Sequence, residues 1–140
     1  IERLSNICRS NYGDVGVTAA LSTDISIIGN LCNGNGKNGI ECDGVVRGTI
    51  SGNVCDGNTN HGILLTEYGP PSGTSYSGSV DGTAISYPTV ISNKDVVVIG
   101  NTCSRNGQFG IDVIGQSRVS ILNNVIADNN TSNTNISTSR

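Results

Sequence analysis

Residues 96–113 read VVVIGNTCSRNGQFGIDV, which is three short apolar or β-branched runs separated by turns around Asn101 and Asn106. β-branched residues favour strands, whereas Asn and Gly favour tight turns. Successive side chains of a strand point to opposite faces, so each run places every second residue on one side. We therefore predict three short strands, each with one inward face, within these eighteen residues.

The same arrangement recurs along the chain. A lead Asn, an apolar residue two positions later, a second Asn and a Gly followed by a β-branched residue form five registers, the last of which lacks the Gly element. The lead residues are spaced by 24, 23, 48 and 23 positions. Such a period, built from strands and turns, is typical of a β-solenoid. We predict an all-β, right-handed, single-stranded parallel β-helix (solenoid) of about five coils of ~23 residues.

Equivalent residues of successive coils should stack in columns. Apolar columns form the predicted core, and Asn at sharp bends is expected to hydrogen-bond to the Asn one coil away. The structural ladders predicted in this way are Asn6, Asn30, Asn53, Asn101 and Asn124 at one turn, and Cys8, Cys32, Cys55 and Cys103 in one inward column.

Five cysteines are an odd number, and four of them occupy the same inward column. Side chains stacked in register point in the same direction, which is poor disulfide geometry, and zinc-binding spacings are absent. We expect buried thiols, with Cys42 also inward, and no bound metal or other cofactor. Calcium binding between acidic turns, such as those of Asp43 and Asp56, is an open alternative. Thiols of this kind favour assembly in a reducing cytoplasm.

The repeat lapses between Leu65 and Asp95, where Pro, Gly and Ser cluster. We predict a long loop insertion at about residues 66–94, within coils that span residues 1–130 and precede a polar tail at 131–140. A degenerate sixth coil is the alternative, since the gap of 48 is close to two periods. Three Tyr residues in the insertion, which could stack on sugar rings, are candidate substrate-binding residues: Tyr68, Tyr76 and Tyr87.

Composition restricts the partners. The formal net charge is −3, so no basic field attracts phosphates, and a nucleic-acid partner is not expected. No apolar run is long enough to span a membrane. The chain starts inside a repeat and without Met, which predicts a piece of a longer chain, with a homotrimer as the expected assembly.

Residues 25–65 and 96–130 resemble the parallel β-helix repeats of the pectate-lyase-like superfamily, which includes pectin-degrading enzymes and phage tailspike depolymerases. The resemblance implies a scaffold that binds, and often cleaves, acidic or branched polysaccharides along its outer strand faces. It also implies an extracellular or virion-surface location. No catalytic string of the family can be matched here, so no catalytic residue is carried over from it.

Alternation along the Gly-Ile strand places Glu41 and Asp112 in one outer column. With a loop insertion they are two coils apart, a separation that leaves room for a water molecule beside a glycosidic bond. His61 borders the same face and completes the candidate catalytic set. Further candidate substrate-binding residues at the groove are Lys37, Asp43 and Arg105.

Two functions remain open from the sequence. One is a carbohydrate-active module that binds and cleaves a cell-surface or extracellular polysaccharide as part of a larger tailspike-like protein, either as a hydrolase or as a lyase that uses Arg105 or His61. The other is a structural or adhesive β-solenoid without catalysis, in which the insertion contacts other proteins.

Overall fold

The computed structural model describes residues 2–4, 6–69, 77–80, 82–86 and 90–131, and all their regular structure is β. None of these residues forms a helix that could cross a membrane. The strands are β1 Glu2–Leu4, β2 Ile7–Arg9, β3 Val17–Ala20, β4 Thr23–Ile28, β5 Leu31–Asn33, β6 Ile40–Asp43, β7 Val46–Ser51, β8 Val54–Asp56, β9 Ile63–Thr66, β10 Ser77–Val80, β11 Thr83–Ser86, β12 Lys94–Ile99, β13 Thr102–Ser104, β14 Ile111–Val113, β15 Ser117–Leu122 and β16 Val125–Ala127.

Three parallel sheets run along the stack and confirm the predicted β-solenoid. Sheet A contains β1, β4, β7, β12 and β15; sheet B contains β2, β5, β8, β13 and β16; sheet C contains β3, β6, β9 and β14. Every strand pair in these sheets is parallel, which is the arrangement of a chain that makes one turn per coil. Sheets A and B have five strands each and sheet C has four, so the described chain makes about four complete turns.

The core consists of the predicted apolar columns. Ile50 pairs in register with Ile27 and Val98, and Cys55 pairs with Cys32 and Cys103. All six are at most 2% exposed. Removing a large aliphatic side chain from water contributes roughly 1.5–3 kcal/mol, so the stacked columns supply the main driving force for the fold.

The insertion leaves the stack. Strand β9 pairs directly with β14, β8 with β13 and β7 with β12, so no coil is inserted between the strands of these pairs. The loop interpretation agrees with this pairing, and the sixth-coil alternative is wrong because β9 and β14 are direct neighbours in sheet C. Within the insertion, β10 and β11 form an antiparallel hairpin.

The root of the insertion rests on the corner between sheets C and A. Tyr68 and Ile91 exchange two backbone hydrogen bonds, of 2.9 and 2.8 Å, which close the insertion into a neck. Ile91 packs with Val46 and Leu21. Gly44 lies beneath with a φ of +64°, and a Cβ there would lie 3.0 Å from the Ile91 carbonyl oxygen, so glycine permits this close approach.

Two asparagine ladders hold neighbouring coils together. In the first, the Asn53 side chain accepts hydrogen bonds from the Asn30 backbone N–H and amide, and donates to Asn101 and to the Ile27 carbonyl. The sequence indicated this ladder. A second ladder with the same bonding contains Asn11, Asn35, Asn58, Asn106 and Asn129, of which the middle three are at most 1% exposed.

No disulfide joins the five cysteines, all of which lie within the described residues. Cys32, Cys42, Cys55 and Cys103 are fully buried. Burial raises the pKa of the Cys42 thiol well above its ordinary value. An inaccessible thiol is a poor nucleophile, so these four side chains act as small apolar core residues.

We expect slow thiol chemistry in the native protein. Ellman's reagent should label at most the half-buried Cys8 quickly, and all five cysteines only after denaturation. The four buried thiols should become reactive with the same midpoint as the loss of β-sheet circular dichroism. Rapid native labelling of Cys32 or Cys55, identified by mass spectrometry, would contradict the packing of this column.

Candidate functional site

The outer side of sheet C carries most of the candidate catalytic residues. Burial along β6 alternates, with Ile40 and Cys42 buried and the residues that follow each of them partly exposed. We use the term acidic face for the outward-facing residues of sheet C, which are Thr18, Ala20, Glu41, Asp43, Leu64, Thr66 and Asp112.

Glu41 and Asp112 occupy one column of the acidic face. Glu41 pairs in register with Leu64, and Leu64 pairs with Asp112, so the two carboxylate residues are two strands apart. Two strand spacings amount to roughly 9–10 Å between backbones. The column therefore has the separation that the sequence predicts for a loop insertion.

A second column, at the edge of the acidic face, orients Glu41. Asn38, His61 and Phe109 stand at equivalent positions, each directly before the Gly that precedes a strand of sheet C. Asn38 donates from Nδ2 to Glu41 Oε2 at 2.6 Å and accepts the His61 backbone N–H on Oδ1 at 3.0 Å. Since Asn38 is only 3% exposed, it holds the Glu41 carboxylate in one orientation.

His61 lies between the two carboxylates. Its Nδ1 is 3.8 Å from Asp112 Oδ2 and has no hydrogen-bond partner, although the ring is almost fully buried. The ring stacks on Phe109, with 5.5 Å between centroids and 18° between planes. Burial lowers the pKa of His61, opposed by the charges of Asp112 and Glu41, so the imidazole is mainly neutral at neutral pH.

Asp43 neighbours Glu41 on the same outward face of β6. Burial raises the pKa of Asp43 to about 6, and the negative charge of Glu41 adds to the rise. Its Oδ1 is buried without a hydrogen-bond partner. Asp43 therefore keeps its proton at mildly acidic pH, when an ordinary aspartate has lost it.

The raised pKa of Asp43 predicts how the stability of the fold depends on pH. Because the folded pKa of Asp43 exceeds the unfolded value, the group stabilises the fold below about pH 4, and this contribution is lost as the pH rises through 6. Asp43→Asn removes this loss of stability. The change that it causes in the free energy of unfolding should therefore be about 1 kcal/mol more stabilising at pH 7.5 than at pH 4, a value that allows for solvent screening. Urea denaturation at both pH values measures it.

Asp24→Asn is the matched control, because hydrogen bonding to Arg47 lowers the pKa of Asp24. The sign of its pH dependence is opposite: the substitution should destabilise at pH 7.5 and matter least at low pH. Equal pH dependence for Asp43→Asn and Asp24→Asn would contradict the assignment of a raised pKa to Asp43.

The predicted cationic residues pair with carboxylates outside the acidic face. Lys37 Nζ lies 3.6 Å from Asp14 Oδ1, and Arg105 donates from Nη2 to Asp56 Oδ2 at 2.5 Å on the outer side of sheet B. The expectation that Arg105 borders this groove is wrong, because the Asp56 pair holds its guanidinium on another sheet. Asp56 also accepts from Ser104, so it shares no site with Asp43.

Of the three predicted tyrosines, Tyr68 lies half-buried at the neck of the insertion, two residues after Thr66 of the acidic face. Tyr76 and Tyr87 lie outside the described residues. The neck thus stands at one edge of the acidic face, opposite the Asn38, His61 and Phe109 column.

Sequence reasoning missed Asn38 and Phe109 and assigned Asp43 only to the groove border. The sequence did contain a signal for Asn38 and Phe109, because each directly precedes the regularly spaced Gly of its coil, as His61 does. The coil period therefore identifies all three as one column. No sequence signal showed that Asp43 would be buried enough to hold a proton.

The stacked parallel sheets and the polar outer face of sheet C define a parallel β-helix protein. The chain belongs to the family described as "Periplasmic copper-binding protein (NosD)", whose model matches residues 2–140. A comparison with curated proteins finds no significant match.

Solved structures of the periplasmic alginate epimerase AlgG share the fold. The chain aligns with this enzyme at a TM-score of 0.56 and 16% identity, and with one point mutant of it at 0.60 and 17%. Each alignment covers 89% of this chain but only 31% and 33% of the epimerase chains. The chain therefore spans about a third of the length of these structures.

Proposed function

We propose that this chain is a carbohydrate-active β-helix module that binds and hydrolyses a polysaccharide outside the cytoplasm. The observation that carries the proposal is the convergence of Glu41, His61 and Asp112 on one outer face, with Glu41 and Asp112 two strands apart. The fold shared with a polysaccharide-modifying epimerase and the periplasmic location named for both the epimerase and the family support it.

The geometry suits an inverting hydrolysis. A sugar chain that crosses the coils of sheet C places a glycosidic bond between Glu41 and Asp112, with space for one water molecule. Glu41 donates a proton to the leaving glycosidic oxygen while Asp112 takes a proton from the attacking water. The carbon–oxygen bond to the leaving sugar breaks, and a bond to the water oxygen forms on the opposite side of the ring.

Neighbouring groups tune this pair. Asn38 fixes the Glu41 carboxylate through the 2.6 Å hydrogen bond, and protonated Asp43 supplies a nearby proton at mildly acidic pH. Neutral His61 lies 3.8 Å from Asp112 and limits the positions open to that carboxylate. Elimination would have to use His61, because Arg105, the other candidate base for a lyase, is bound to Asp56 on sheet B.

Copper does not fit the residues present. The chain has one His and no Met, and the described residues contain no group of three His, Cys, Asp or Glu that could hold a metal ion. The stacked thiols are the remaining soft donors. Cys32 and Cys55 are fully buried, and hydrogen bonds between neighbouring thiols raise the pKa of Cys55 and lower that of Cys32. Because Cys32, Cys55 and Cys103 are closed off from solvent in the core, the proposed function uses no copper.

The location and assembly are part of the proposal. A periplasmic or secreted protein agrees with the names of the family and of the epimerase. Neither name refers to a phage, so the virion surface, tailspike and homotrimer predictions remain untested. A non-catalytic adhesive solenoid is the second candidate, favoured by the hairpin of β10 and β11 that leaves the stack.

The proposal is tested with the full-length protein and a panel of bacterial envelope and secreted polysaccharides. Hydrolysis should release new reducing ends and shorten the polymer without a rise in absorbance near 235 nm. A rise at this wavelength would show elimination and overturn the hydrolytic mechanism. Tight binding without cleavage of any polymer would favour the adhesive alternative, and neither binding nor cleavage would contradict a carbohydrate-active role.

A further inference from the structure

We infer that the acidic face selects a neutral polysaccharide, one whose sugars at the cleaved bond carry no carboxylate. This inference rests on the proposed function and specifies its substrate class. The juxtaposition that carries it is three carboxyl side chains in two adjacent columns of sheet C, Glu41, Asp43 and Asp112, on strands without a single Lys or Arg.

The basic side chains predicted at the groove pair with carboxylates outside the acidic face. Lys37, in the turn before β6, lies 3.6 Å from Asp14, and Arg105 is bonded to Asp56 on sheet B. His61 is the remaining basic group beside the carboxylates, and its burial favours the neutral form. A uronate bound across β6, β9 and β14 would therefore meet negative charge without a cation to neutralise its carboxylate, which disfavours binding.

Asp43 shows that the face already resists further negative charge. Its pKa is raised to about 6, partly because the Glu41 carboxylate stands beside it. A substrate carboxylate at the same place would experience the same repulsion and the same loss of hydration.

The uncharged parts of the face suit the apolar side of a sugar ring. Leu64 lies half-buried between Glu41 and Asp112 in the same column, and the Phe109 ring stacks on His61 at the edge. Sugars present C–H groups on one face and hydroxyls at their rim. Leu64 can therefore pack against the ring, while the flanking carboxylates accept hydrogen bonds from neutral hydroxyls.

The test compares one uronate polysaccharide with its carboxyl-reduced form, which has the same linkages but no charge. Neutral polymers from the panel are included, and binding to the full-length protein is measured by calorimetry at low and high salt. We expect the reduced form to bind at least tenfold more tightly at low salt, and the difference to shrink at high salt, because the disfavoured interaction is electrostatic.

A charge variant makes the inference specific to this face. Leu64→Lys places a cation between Glu41 and Asp112 and should raise uronate affinity about tenfold, whereas Thr49→Lys, on the outer side of sheet A, should leave it unchanged. Equal or tighter binding of the uronate form by the unaltered protein would overturn the inference while leaving the proposed function in place. Failure to bind the uronate, its reduced form and every neutral polymer would instead overturn the proposed function.

Discussion

Glu41→Gln should reduce polysaccharide hydrolysis by a factor of about 10² to 10⁴, with little change in stability or in substrate binding. The amide keeps the shape of the side chain but cannot donate a proton to the leaving oxygen as a carboxylic acid does. Initial rates of reducing-end release by the full-length protein measure the effect. Asp112→Asn should cause a loss of similar size, because it removes the base for the attacking water.

Matched controls separate this effect from a general change in charge. Glu67→Gln alters an exposed carboxylate at the insertion, and Asp14→Asn alters one that pairs with Lys37, and both should cleave at the unaltered rate. Full activity of Glu41→Gln and Asp112→Asn would exclude this pair from the reaction. An equal loss in the two controls would show that net charge, rather than Glu41 or Asp112, controls the rate.

Asn58→Ala should lower the free energy of unfolding by about 3–5 kcal/mol, the largest stability effect that we expect from a single ladder residue. The Asn58 side chain donates to the Cys32 carbonyl and to Asn106 Oδ1, and accepts from the Asn35 backbone and amide. Its removal takes four hydrogen bonds from buried groups, among them the bond to the Asn35 backbone N–H. Urea denaturation followed by circular dichroism measures the change.

Asn129→Ala is the control at the end of the same ladder. Asn129 is only partly buried, so water can reach the groups that its removal exposes, and the loss should be less than half that of Asn58→Ala. An Asn58→Ala protein as stable as the unaltered one would show that the ladder contributes little beyond the apolar core.

Most of the fold can be predicted from the sequence because each coil repeats the same pattern of short strands and turns. Once Ile27, Ile50 and Val98 are aligned by their spacing, the register of sheet A is determined, and the structure pairs these residues directly. The period also predicts that Asp24 faces Arg47 one coil later, although the sequence reasoning assigned no partner to that arginine.

The candidate site was only partly predictable. Alternation placed Glu41 and Asp112 outward, but their separation depended on whether the insertion formed a coil, which only strand pairing decides. The direction of a long flexible side chain is not determined by its position in a repeat. For this reason Arg105 was expected at the groove, whereas its partner is Asp56, 49 residues earlier in the chain.

The most direct test of the central claim is a crystal structure of the full-length Asp112→Asn protein with an oligosaccharide of the polymer that the unaltered protein cleaves. A hydrolytic site on the acidic face predicts that the sugar chain crosses β6, β9 and β14, with the glycosidic oxygen of one bond within hydrogen-bond distance of Glu41. An oligosaccharide bound to sheet A, to sheet B or outside these coils would contradict the claim.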